Sequence, residues 1–257
     1  MKVAKRIKQW RYPEASERQL SRSLSGMAED FGKRAKESVA RMKFDATDDE
    51  INSEEDDLSK YLLTLLMLII ASLRPMSVMI YIFNSNQWIE VAKNNGGGDV
   101  PAVKLLETLG PNQTEAWFYQ KRLQWESLSS ASVKKLGDAI LADWSTTVRD
   151  MNLKGKTDDQ LKEAIARRAD VWISWSKNRA RNIVGTFNSI LMMERLKESG
   201  VTSFIWRGML DERERLQHLK WEGKVISLLS DHVFPGEPYG CRCWAQPYFN
   251  KEQINDS

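Results

Sequence analysis

The chain has 257 residues, of which 42% are hydrophobic and 28% charged, and its formal net charge is +3. That length supports one or two domains with real cores, while so small a net charge does not mark the whole molecule as a nucleic-acid binder. Two cysteines fit a reducing compartment better than a disulfide scaffold, and most of the ten tryptophans must be core or interface anchors.

The chain opens on "MKVAKRIKQWRYPE", basic but not followed by an apolar run, so no secretory leader is expected. Between Lys2 and Lys43 basic residues outnumber acidic ones, and "DATDDEINSEEDD" (45–57) is almost purely acidic. Residues 1–57 therefore read as a basic arm, extended or loosely helical, ending in a solvated acidic linker. Lys5, Arg6, Lys8 and Arg11 are its candidate contacts to DNA or an acidic protein surface.

The next segment, "YLLTLLMLIIASLRPMSVMIYIF" (Tyr61–Phe83), has the ~20 apolar residues of a membrane span. Arg74 in its middle costs roughly 2.5–3.5 kcal/mol in a bilayer and Pro75 interrupts a helix. A buried helix from about Leu58 to Leu73, with no stable membrane insertion, is the expectation. After it, "NQWIEVAKNNGGGD" is a short helix stopped by Gly96, Gly97 and Gly98. "VPAVKLLETLGP" starts with Pro101 in its first turn and ends at Gly110. "TEAWFYQKRLQWESL" keeps helical period, and Val133, Leu136, Ile140, Leu141, Trp144 and Val148 form an apolar stripe.

Thr157 and Gln160 form a T-x-x-Q capping pattern. Leu161, Ile165, Ala169, Trp172, Ala180, Ile183, Phe187 and Leu191 follow at helical spacing, broken by Ser176, until Gly200 stops the helix. Arg179 and Arg181, with Arg167, Arg168 and Lys177, make this helix basic, suiting a solvated face or a phosphate or acidic-partner contact. Beyond Gly200, "TSFIWRGM", "GKVISLL" and "CRCWAQPYF" read as three short strands joined by loops and a helical turn. The expected fold is mainly α: a helical body over 58–200, whose long last helix leads into a small α+β subdomain of short strands over 201–257.

That last segment holds every histidine and cysteine of the chain: His218, His232, Cys241 and Cys243. Four such side chains are the count for a tetrahedral zinc site, worth about 10–16 kcal/mol of apparent binding energy where it forms. "CRC", however, has one residue between its cysteines where structural knuckles have two to four. A disulfide across that single residue is sterically awkward. A nucleophile–base pair, Cys241 with His218, requires a contact that spacing does not define. The remaining reading makes the cysteines small buried hydrophobes flanking Arg242, with Asp211 capping "ERERLQHL" and pairing with Arg213 or Arg215. A compact β-rich knot without a cofactor follows, zinc being its one alternative.

The run "W-x4-DERERLQHLKWEGKV" followed by "FPGEPYGCRCWAQP" resembles the C-terminal motif of the phage Mu F-like minor head proteins, the phage head-morphogenesis family. The matching residues are Trp206, Asp211, Arg215, His218, Gly223, Lys224, Pro235, Gly240, Cys241, Arg242 and Cys243. The likeness is specific over about 179–247. It implies a minor capsid protein inside the phage head, assembled in the host cytoplasm, that associates with the portal protein and other capsid components and handles packaged double-stranded DNA non-specifically. No catalysis is implied. The rival from another class is a zinc- or cysteine-dependent hydrolase or nuclease acting through His218 and Cys241.

Overall fold

A computed structural model describes residues 10–42, 46–110 and 112–249. Lys5, Arg6 and Lys8 lie outside the described residues. The elements are α1 (Glu14–Arg41), α2 (Asp48–Asn94), α3 (Pro101–Thr108), α4 (Phe118–Leu153), α5 (Asp158–Glu198), β1 (Ser203–Arg207), α6 (Leu216–Trp221), β2 (Val225–Ser227) and β3 (Trp244–Pro247). The protein is mainly α, with one small antiparallel sheet near the C-terminus, as the periodicities imply.

Among the described residues of the expected arm and linker, Glu14–Arg41 form a well-packed helix rather than a loose one, and 48–57 are helical rather than a linker. In α1, Leu20, Leu24, Met27, Phe31, Ala35 and Val39 recur at three- and four-residue steps and are buried. The acidic run forms the first turns of α2, where negative charge suits the positive helix end. A reciprocal cap starts that helix. Thr47 N–H donates to Glu50 Oε2 (2.8 Å), and Glu50 N–H donates to Thr47 Oγ1 (3.3 Å).

Nor does the first apolar helix end near Leu73: α2 continues through Pro75 to Asn94. An interior proline costs about 3 kcal/mol. Offsetting it, Leu58, Leu62, Leu66, Ile69, Leu73, Met76 and Ile80 keep one buried face on both sides of the proline. By length and composition α2 could cross a bilayer, and 39% of its most apolar window is buried. The glycine stop is where the sequence puts it: Gly96 has φ 93°, and Gly97 N–H reaches back to Ala92 O (2.8 Å).

The residues divide into two compact units. One comprises Glu17–Pro75 and Glu126–Ile183, four helix segments from α1, α2, α4 and α5. Its core holds the stripe of α4 (Val133, Leu136, Ile140, Trp144, Val148) and Ile165, Trp172, Ala180 and Ile183 of α5. Trp172 meets Phe31 edge to face at 5.3 Å and donates through Nε1 to Asp143 (2.8 Å), which also accepts from Arg168 Nε (2.6 Å). The T-x-x-Q cap of α5 is formed, Thr157 N–H to Gln160 Oε1 (3.1 Å) and Gln160 N–H to Thr157 Oγ1 (3.4 Å).

The other unit takes the residues up to Ser16, Met76–Trp125, and those from Val184 onward. Its sheet has the order β2-β1-β3, with Phe204 opposite Ile226 and Trp206 opposite Ala245. Phe204 and Trp206 point inward from β1, and all four residues of β3 are buried. Trp88, Val91, Val103, Met192, Leu196 and Trp244 complete one apolar cluster with them. Ser189 Oγ on α5 donates to Pro235 O (2.8 Å), and Gln246 Nε2 donates to Oδ1 of Asn95, just past the end of α2 (2.7 Å), so the loop is held from α5 and the strand from the turn after α2.

Candidate functional site

The motif residues interlock within this second unit. Trp206, fully buried at the centre of the sheet, fixes the Gly-Lys pair: its N–H donates to Lys224 O and its carbonyl accepts from Gly223 N–H, each at 2.9 Å. Gly223 has φ 76°, a left-handed conformation that a side chain would resist. Lys224 itself is exposed.

Asp211 does not cap α6. The residue at that cap is Arg215, with no side-chain cap bond. Asp211 instead accepts from Arg213 N–H (3.1 Å) and from Arg242 Nη2 (2.7 and 2.5 Å), tying the loop after β1 to the segment before β3. The Arg242 guanidinium, first through its hydrogen bond, holds the Asp211 carboxyl below its usual range. Arg215 donates to Tyr239 O, just before Gly240, which turns with φ 68°. Cys241 N–H then closes onto Pro238 O (2.8 Å).

These ties bring three of the four soft side chains together. His218 sits on α6; Cys241 and Cys243 flank Arg242 on the approach to β3. From His218 Nδ1 it is 3.6 Å to Cys241 Sγ and 3.3 Å to Cys243 Sγ. The three ligand atoms lie within 4.8 Å of one another, and all three residues are buried. Cys243 N–H points at Cys241 Sγ (3.4 Å). In an extended segment residues i and i+2 share a face, which is how a single intervening residue serves both sulfurs.

The sulfur–sulfur hydrogen bond pulls the Cys241 thiol down to about 7 against the opposing effect of burial. The same bond, with burial, pushes Cys243 up, so the two thiols titrate as a pair in which Cys241 gives up its proton first. Burial, then the nearby Arg215, lowers His218 below the usual histidine range. Two sulfurs and an imidazole nitrogen converging on one point are the donor set a soft metal takes, with release of the thiol protons on binding.

His232 is not part of the cluster. Its Nδ1 faces Val233 O (2.8 Å), and its ring packs edge-on against Trp221 (4.3 Å) and Trp206 (5.6 Å). Sequence reasoning gave Glu214 no role. Its Oε1 lies 3.2 Å from Cys243 Sγ while Leu210 N–H holds Oε2 (2.6 Å). The 3.6 Å contact of His218 with Cys241 is also what a nucleophile–base pair needs. Here both are more than nine-tenths buried, and Cys243 lies at 3.3 Å from the same nitrogen.

Of the basic candidates, Arg11 is exposed. Arg179 and Arg181 are half-buried and engaged within the chain, Arg179 with Ser132 Oγ (2.9 Å) and Arg181 with Glu17 Oε1 (3.3 Å).

No protein-family model matches the chain, and no solved structure is similar to it. An uncharacterized protein of Haemophilus influenzae is 33% identical over 79 residues, covering 29% of this chain and 18% of that protein. The chain thus spans less than a fifth of that relative's length.

Proposed function

We propose that the chain is a phage minor capsid or head-morphogenesis protein, which associates with the portal and packaged DNA inside the head and assists capsid assembly or DNA delivery. The observation that carries this reading is the interlocking of the motif. Trp206 with Gly223 and Lys224, Asp211 with Arg242, Arg215 with the turn at Gly240, and His218 with both cysteines together hold one compact knot. The residues that resemble the head-protein motif are therefore tied to one another in space as well as in sequence pattern. A knot tied at several points suits a binding role, in which pre-organised surfaces limit the ordering cost of association.

Arg11, and with it Lys5, Arg6 and Lys8, are the basic residues offered to DNA or an acidic portal surface. Arg179 and Arg181 contribute less, since part of their hydrogen-bonding capacity is used inside the chain. The test is purification of portal-containing proheads from cells that assemble them with a tagged copy of this chain. Co-purification at a fixed ratio to portal is expected; clean absence from proheads would sink the reading.

A further inference from the structure

We propose that His218, Cys241 and Cys243 form a binding site for a soft divalent metal ion, zinc in the first place, with the fourth position on the side of Glu214. The proposal stands apart from the head-assembly reading, since a chain that never meets a portal can bind zinc and a metal-free one can enter a head.

Geometry is the first argument. Ligands at ordinary zinc distances in a tetrahedron lie about 3.6 Å apart along a sulfur–nitrogen edge and about 3.8 Å apart along a sulfur–sulfur edge. The two sulfur–nitrogen edges here are 3.6 and 3.3 Å, and the whole triangle closes within 4.8 Å. Hydrogen bonds also tie these atoms, but only pairwise: the Cys243 thiol donates to Glu214 Oε1 (3.2 Å), and one sulfur pairs with His218 Nδ1. A neutral imidazole nitrogen offers one lone pair or one N–H, so Nδ1 satisfies one of the two sulfurs converging on it. A metal ion satisfies all three atoms together.

The surroundings are built to hold that triangle. The His218 ring is stacked on Trp221 (5.3 Å between centroids, 19° between planes) and edge-on to Trp206 (5.3 Å), which fixes the direction of Nδ1. Cys243 N–H directed at Cys241 Sγ favours a thiolate there. Two thiolates and a neutral imidazole around a dication make an uncharged buried group, avoiding the cost of an unpaired interior charge. Thiolate and imidazole donors favour zinc over magnesium or calcium, which take oxygen. Glu214 lies outside the converging set, but, anchored by Leu210 N–H, it places its other oxygen beside Cys243 as acceptor for a water bound in the fourth position. His232 is excluded, because it lies outside the converging set.

The experiment titrates the full-length chain, purified in metal-free buffer, with cobalt(II) and then zinc(II). One cobalt per chain with thiolate-to-cobalt charge-transfer absorption, bleached by one equivalent of zinc, is expected. Cys241→Ser and Cys243→Ser should each reduce that absorption and His218→Ala should shift it. His232→Ala should leave it unchanged, and Glu214→Gln should weaken binding by about 10–100-fold. Should the cysteine variants fail to fold, alkylation of the wild-type thiols in mild urea gives the same answer, zinc slowing both sites together. Folded wild-type chain without charge-transfer absorption, thiols unprotected by zinc, absorption unaffected in folded Cys243→Ser, or its loss in His232→Ala would each overturn the proposal.

Discussion

Arg195 and Glu115, eighty positions apart in the chain, form an ion pair sealed from solvent: their side chains are 1% and 4% exposed, and Arg195 Nε donates to Glu115 Oε1 at 2.8 Å. The guanidinium also donates to Asn84 Oδ1 and to Ser85 Oγ (2.6 Å), and Tyr81 Oη donates to Glu115 Oε2. Asn84 continues the network through Nδ2 to Asn188 Oδ1 (2.9 Å). This network joins α2, the loop before α4, and the end of α5.

Breaking such a pair from one side leaves an uncompensated buried charge, at a cost of about 3–5 kcal/mol. Arg195→Met should lower the free energy of unfolding by that amount in urea denaturation. Arg195→Met with Glu115→Leu should recover much of the loss, because no charge is then stranded. A single variant as stable as wild type would show that the pair is not sealed as described.

Tyr81 reports on the same network through pH. Burial first, and then its hydrogen bond to Glu115, push its hydroxyl up to about 12 from an ordinary value near 10. The folded state therefore keeps this proton after the unfolded chain has lost it. Stability from this group is fully present below about pH 10 and declines as pH rises toward 12, by roughly 2–3 kcal/mol at the end of that window. Tyr81→Phe should remove this part of the alkaline decline, measured as unfolding free energy from pH 8 upward (on the order of one point per half unit). An identical slope in both proteins would place the alkaline sensitivity elsewhere.

Much of this architecture is legible from residues alone, and the gaps have physical causes. In α5, the apolar stripe and the cap at Thr157 are both local signals, and both are realised. The equivalent cap at Thr47 and Glu50 is local too, but it is embedded in a run of like charge that reads as a repelling linker. The buried side of α2 supplies what that run lacks, through tertiary packing that outweighs local repulsion and Pro75 alike. Arg195 has a faint signal, since it falls one turn after Leu191 on the buried stripe of α5, where a charge stands out. The site divides the same way. Glycine turns and short strands follow from residue type, whereas the exchange between Trp206 and the Gly-Lys pair is a cross-chain pairing that residue type does not encode. The closure of His218 on two cysteines 23 and 25 positions away follows from Asp211 meeting Arg242 and Arg215 meeting Tyr239, contacts that spacing does not encode.

Two glycines should respond in opposite directions to the same change. Gly26 lies within α1 with nothing within 4 Å of where a Cβ would stand. Alanine there restricts the unfolded chain and favours helix, so Gly26→Ala should add about 0.5–1 kcal/mol. Gly236, in the loop that carries the chain toward Cys241, has φ 87°, and a Cβ would come 2.9 Å from Ser189 Cβ on α5. Gly236→Ala must either strain the backbone or push the loop off α5, weakening the Ser189 bond to Pro235 and costing on the order of 1–3 kcal/mol. Thermal unfolding of both variants beside wild type is the measurement. Since the loop runs on to the cysteines, Gly236→Ala should also loosen the sulfur triangle and speed alkylation of Cys241 relative to wild type, an effect Gly26→Ala should not share.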